Sequence, residues 1–104
     1  MTDKAMRQRI KQNVLEVDPH AEVWLYGSMA RGTAHEESDW DVLVLSPKDS
    51  LSTAEESLFT DHMCDLIVET GEVVQLFAYG KQDWHRNHRV TPFYQNVLHD
   101  AIRL

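Results

Sequence analysis

Four consecutive apolar residues, Val42-Leu43-Val44-Leu45, follow Asp39-Trp40-Asp41 and are closed by Ser46 and Pro47. A strand with one wet face alternates apolar and polar residues, so a run this short and continuously apolar predicts a strand over Asp39 to Leu45 that is covered on both faces. Such a strand needs layers above and below it, and the flanking sequence supplies them. Thr2 or Asp3 can cap a first helix in which Met6, Ile10, Val14 and Val17 recur at helical spacing until Asp18 and Pro19 stop it. Ala21 to Tyr26 reads as a strand broken by Gly27. Ser52 with Glu55 three residues on has the form of a capping box, and Leu58, Phe59, Met63, Leu66 and Ile67 follow at helical spacing up to Gly71. Glu72 to Tyr79 reads as a third strand. Thr91-Pro92 can open a terminal helix carrying Phe93, Val97 and Ile102. The predicted order is α, β, short helix, β, α, β, α: an α/β (α+β) fold with a small mixed sheet and helices packed against it.

With 104 residues the chain has room for one compact domain, taken as 1–104, and no separate substrate domain. Ten Lys plus Arg against seventeen Asp plus Glu give a formal charge of -7, which disfavours non-specific nucleic-acid binding. A polyanionic ligand can still bind where a cation neutralises part of its charge. The lone Cys64 cannot form an internal disulfide, and no apolar run reaches the length of a membrane span, so a cytoplasmic protein without membrane association is expected.

The chemistry is expected at the turn between the first two strands. Gly27 lets the backbone turn and approach a ligand, Ser28 offers a hydroxyl, and Met29 to Arg31 can begin a short helix with free N–H groups, which together suit a phosphate. A Gly-Ser pair after a strand also marks ordinary turns, and Asp39 and Asp41 supply the further context. Two residues apart on a strand, they project from one face with Trp40 on the other. Their charges repel unless something positive lies between them, and magnesium, an oxygen-seeking ion held by one or two carboxylates plus nucleotide phosphates, meets that need.

Gly27-Ser28, ten intervening residues and Asp39-Trp40-Asp41, within the run LYGSMARGTAHEESDWDVLVL, resemble the signature of the minimal nucleotidyltransferases of the DNA polymerase β-like superfamily. The resemblance implies that Gly27 and Ser28 contact the terminal phosphates of a nucleoside triphosphate. It also implies that Asp39 and Asp41 hold two magnesium ions, and that a nucleoside monophosphate, AMP from ATP in the first instance, passes to a hydroxyl with release of pyrophosphate. Arg31 can add positive charge near the phosphates. Active members carry a third carboxylate on the neighbouring strand; laying the third strand of this chain against that pattern puts Gln75 there, with Val73, Phe77 and Tyr79 at the same parity. Glu72 has the wrong parity unless a bulge intervenes, and Asp65 and Glu69 fall on the solvated face of the preceding helix.

A phenol acceptor such as a protein tyrosine, with a pKa of about 10, needs a base less than an alcohol does, which would favour protein AMPylation. The alternative implied by the resemblance is an antitoxin-like interaction protein, partnered with a HEPN-type ribonuclease toxin, that binds nucleotide with little catalysis. His85 and His88, near Lys81, Arg86 and Arg89, read as a solvated loop rather than a zinc site. His35 reads as a loop histidine near the chemistry, Cys64 as a buried thiol, and Trp24, Trp40, Trp84, Phe93 and Tyr94 as core or subunit contacts. Acceptor, base preference and homo-oligomer formation stay open.

Overall fold

The structure is a computed structural model, described here over residues 2–33 and 38–104. Helix α1 (Asp3–Val17) starts at Thr2, whose hydroxyl accepts from the Ala5 N–H at 3.1 Å, and ends at Asp18. Strand β1 (Glu22–Tyr26) runs into a five-residue helix α2 (Gly27–Arg31), and β2 (Trp40–Ser46) comes next. Helix α3 (Thr53–Thr70) opens with the complete capping box of Ser52 and Glu55 and ends at Gly71, in the left-handed conformation. It carries the chain to β3 (Val74–Gly80). Two further helices, α4 (Lys81–Asn87) and α5 (Pro92–Asp100), and a short β4 (Ile102–Arg103) complete the described chain.

The four strands lie in the order β3-β2-β1-β4. Strand β1 is antiparallel to both β2 and β4, whereas β2 and β3 are parallel, so the sheet is mixed as expected. A parallel pair requires a crossover, which α3 provides. Val23 and Leu25 of β1, Val42 and Val44 of β2, and Val74 and Ala78 of β3 form one core with Met6, Ile10 and Val14 of α1 and Phe59, Met63 and Leu66 of α3. On the opposite face Leu43 and Leu45 meet Trp84 of α4 and Tyr94 and Val97 of α5. This double cover is why Val42 to Leu45 are all buried, and burial of each such side chain contributes about 1.5–3 kcal/mol.

The structure corrects the sequence reading in four places. The 81–89 stretch read as a solvated loop is largely the helix α4, whose N-cap, Gly80, makes no side-chain cap hydrogen bond and whose only buried residue is Trp84. Two turns without a cap or an apolar stripe give no periodic signal. Ile102, assigned to the terminal helix, instead pairs with Leu25 in β4, because α5 stops at Asp100. Cys64 is exposed: it lies one residue beyond buried Met63, about 100° round the helix from the Phe59, Met63 and Leu66 stripe. Leu58, one residue before that stripe, is likewise exposed. Trp40, Trp84 and Tyr94 are buried in the core, with Trp24 and Phe93 partly buried against it.

Candidate functional site

The sheet register brings the separated sequence features together at one end. Tyr26, the last residue of β1, stands opposite Asp41, and Asp41 in turn stands opposite Gln75 of β3. Cross-strand partners share a face, so Tyr26, Asp41 and Gln75 form a row on the α4/α5 side of the sheet, with Trp40 turned into the other core. Gln75 donates from Nε2 to Asp39 Oδ2 at 3.0 Å, which links Asp39 to the same row. Asp39 and Asp41 therefore share a face as their spacing predicts, and Gln75 occupies the position opposite them on the neighbouring strand.

Gly27 has a φ of +74°, a conformation that costs other residues a steric penalty. A Cβ placed there would stand 2.4 Å from Asp41 Oδ2. The bare glycine Cα is thus what lets the Asp41 carboxylate lie against the start of α2. Tyr26, the N-cap residue of that helix, makes no side-chain cap hydrogen bond, while at its other end the Gly32 and Thr33 N–H groups donate to Ser28 O. Arg7 of α1 donates to Met29 O at 3.3 Å and ties the short helix to α1.

Electrostatics at the site are under tension. Burial raises the pKa of Asp41, the charge of Asp39 raises it further, and Arg31 acts in the opposite direction. A half-buried carboxylate repelled by its neighbour is a place where a cation lowers the energy. Burial, with the charge of Asp41, likewise pushes the Tyr26 phenol up. Among the described residues no group of three or more His, Cys, Asp or Glu could hold a metal ion, and the carboxylates the geometry brings together are those of Asp39 and Asp41. Two carboxylates completed by nucleotide phosphates match the way magnesium is commonly held, and the residues present fit that ion.

The other candidates fall into place around this core. Arg31, the last residue of α2, donates to Asp100 Oδ2 at 2.6 Å. Sequence reading missed Asp100; it lies 69 residues away and carries no motif. The hydrogen bonds of His99 and Arg31 hold its carboxyl below the usual range. Glu72 precedes β3 and accepts from Trp40 Nε1 at 3.3 Å. Asp65 and Glu69 project from α3 into solvent, Glu69 paired with Arg9. On α4, His85 hydrogen-bonds the Tyr94 hydroxyl at 2.9 Å and His88 stacks on Trp84. His35 lies outside the described residues. No helix among the described residues is long and apolar enough to cross a membrane.

With this geometry in place, comparison with known proteins gives the class. The chain belongs to the nucleotidyltransferase domain family, whose model it matches over residues 5–89. Among solved structures, a toxin–antitoxin crystal structure with AMP-PNP is similar in fold, with a TM-score of 0.67 at 21% identity, covering 92% of this chain and 69% of that one. A toxin–antitoxin MntA-HpeT mutant with two Asp-to-Glu substitutions gives a TM-score of 0.66 at 18% identity, again covering 92% of this chain and 69% of the other. A second MntA-HpeT mutant gives 0.64 at 21% identity, covering 94% and 70%. No curated protein matches the chain.

Proposed function

We propose that the chain is a magnesium-dependent nucleotidyltransferase that moves AMP from ATP to a hydroxyl acceptor. The observation that carries this reading is the close approach of Gly27 to Asp41, which supports a turn suited to phosphates lying beside a carboxylate suited to a cation. Asp39 and Asp41 would hold magnesium, which when bound neutralises phosphate charge and helps align nucleophile and leaving group. Gly27 and Ser28 bind the terminal phosphates, and Arg31, held by Asp100, adds positive charge at the far end of α2.

In the transfer, the acceptor oxygen bonds to the α-phosphorus, the bond to the bridging oxygen breaks, pyrophosphate leaves and the hydroxyl proton is lost. Gln75 is an amide and cannot take that proton. A phenol, with a pKa of about 10, releases its proton to solvent far more readily than an alcohol, so a protein tyrosine suits a site of this composition.

A second reading, an antitoxin-like partner of a HEPN-type toxin that binds nucleotide with little chemistry, is favoured by the Gln75 contact. In the place where the resemblance leads one to expect a third carboxylate, the Gln75 amide instead donates to Asp39. The similarity in fold to chains from toxin–antitoxin structures also supports a toxin as partner or acceptor. The two readings separate in one experiment. The protein is incubated with magnesium, α-phosphate-labelled ATP and a HEPN-type partner protein. Label retained on protein after denaturation supports transfer; magnesium-dependent ATP binding without label supports the second reading; no ATP binding at all would sink both.

A further inference from the structure

We propose that Phe77 is the stacking platform for the base of the bound nucleotide, an inference that rests on the nucleotide reading of the Gly27 and Asp41 site. Phe77 is two residues beyond Gln75 on β3, and therefore on the same sheet face as Asp41 and Gln75. Its register partner on β2 is Leu43, two residues beyond Asp41. The ring consequently lies roughly 7 Å along the strands and about 5 Å across from the carboxylate, by ordinary sheet spacings. A nucleotide with its phosphates at Gly27 and the aspartates thus has its base to place at the distance of one sugar, on the sheet face where Phe77 stands.

The surroundings of the ring suit that role. The other aromatic residues on this face are partly or fully covered, Tyr26 and Tyr79 by packing against the second core and Trp84 and Tyr94 within it. Phe77 is 45% exposed. Its one aromatic contact among the described residues is Phe93, with ring centroids 5.4 Å apart and planes inclined at 64°. Phe93 itself meets Tyr26 at 5.6 Å and 66°, and Tyr26 stands opposite Asp41. Phe93 thus braces the Phe77 ring and ties it to the carboxylate row, while among the described residues no ring stacks parallel upon it. An exposed, braced aromatic ring beside a phosphate and cation site offers a base what such rings offer single-stranded nucleic acids: a π-face that accepts any base.

The test measures binding alone, with no acceptor present, so that a loss belongs to the nucleotide. Calorimetric titrations of magnesium-ATP and magnesium-tripolyphosphate are compared for the parent, Phe77→Ala, Phe77→Leu and Phe77→Trp. Phe77→Ala is expected to weaken ATP roughly 5–150-fold, the scale of one base stacked on an aromatic side chain, and to leave tripolyphosphate unchanged. Phe77→Leu, which keeps apolar bulk without a π-face, is expected to weaken ATP as well, and Phe77→Trp to retain it. GTP should lose affinity to Phe77→Ala as ATP does. Unchanged ATP affinity in Phe77→Ala, or an equal loss for ATP and tripolyphosphate, would overturn the proposal while leaving the nucleotide site standing. A parent protein that binds neither ligand would instead refute the nucleotide reading itself.

Discussion

Replacing Gly27 with Ala probes the closest approach in the candidate site. The added methyl group carries two costs. The first is backbone strain: a φ of +74° costs a residue with a Cβ about 1–2 kcal/mol, and in a domain of this size that lowers Tm by roughly 4–16 °C. The second is the clash. The new Cβ would lie 2.4 Å from Asp41 Oδ2, so the carboxylate has to retreat by about 1 Å to reach ordinary van der Waals contact. A displacement of that size in a positioned group costs catalysis about 10²-fold, and magnesium-ATP affinity should fall with it. Gly71→Ala is the control, because Gly71 has a φ of +73° with nothing within 4 Å of the added Cβ. Both variants should lose stability in scanning calorimetry, Gly27→Ala at least as much as Gly71→Ala, and titration calorimetry should show lost magnesium-ATP affinity for Gly27→Ala alone. If Gly27→Ala binds magnesium-ATP as the parent does, the contact between Gly27 and Asp41 does not define the nucleotide site.

Gln75→Glu exchanges the donor to Asp39 for a third negative charge, so the metal-free protein should melt lower than the parent in EDTA and gain more from added magnesium. With an alcohol acceptor, transfer should also rise by up to about 10²–10⁴-fold; a magnesium response equal to that of the parent would show that residue 75 does not face the ion. Ser52→Ala removes the N-cap of α3 and should cost about 0.5–2 kcal/mol in urea unfolding without altering ATP affinity. Its partner Glu55 has a carboxyl held down at about 2 by Lys48 and Ser52. Because that pKa is depressed in the folded state, its contribution to stability is present above the ordinary carboxylate range and fades as pH falls towards about 2.

The parts of this fold that were legible in the sequence are those with a local cause. Thr2, Ser52 and Thr91 each accept from a backbone N–H of the helix they precede, and each is recognisable from its residue type and its place just ahead of a helical pattern. The buried run Val42 to Leu45 announces two covering layers, and the shared face of Asp39 and Asp41 comes from strand alternation, whereas the place of Gln75 opposite Asp41 was reached only through the family resemblance. The features that stayed hidden depend on contacts distant in sequence. Helix α4 exists because Trp84 packs between β2 and α5, and a single buried residue has no period to detect. Asp100 meets Arg31 only because α5 packs beside α2. Cys64 shows the limit of apolar neighbours as a guide, since one residue of offset turns a side chain from core to solvent on a helix.

Whether Asp39 and Asp41 form the cation half of a nucleotide site is decided by titration calorimetry of ATP into the parent and the Asp39→Asn, Asp41→Asn double variant, each with magnesium and with EDTA. Asparagine keeps the shape of the side chain and removes its charge, so the parent should bind ATP more tightly with magnesium and the double variant should show no such dependence. Magnesium-dependent ATP binding that survives unchanged in the double variant would contradict the assignment.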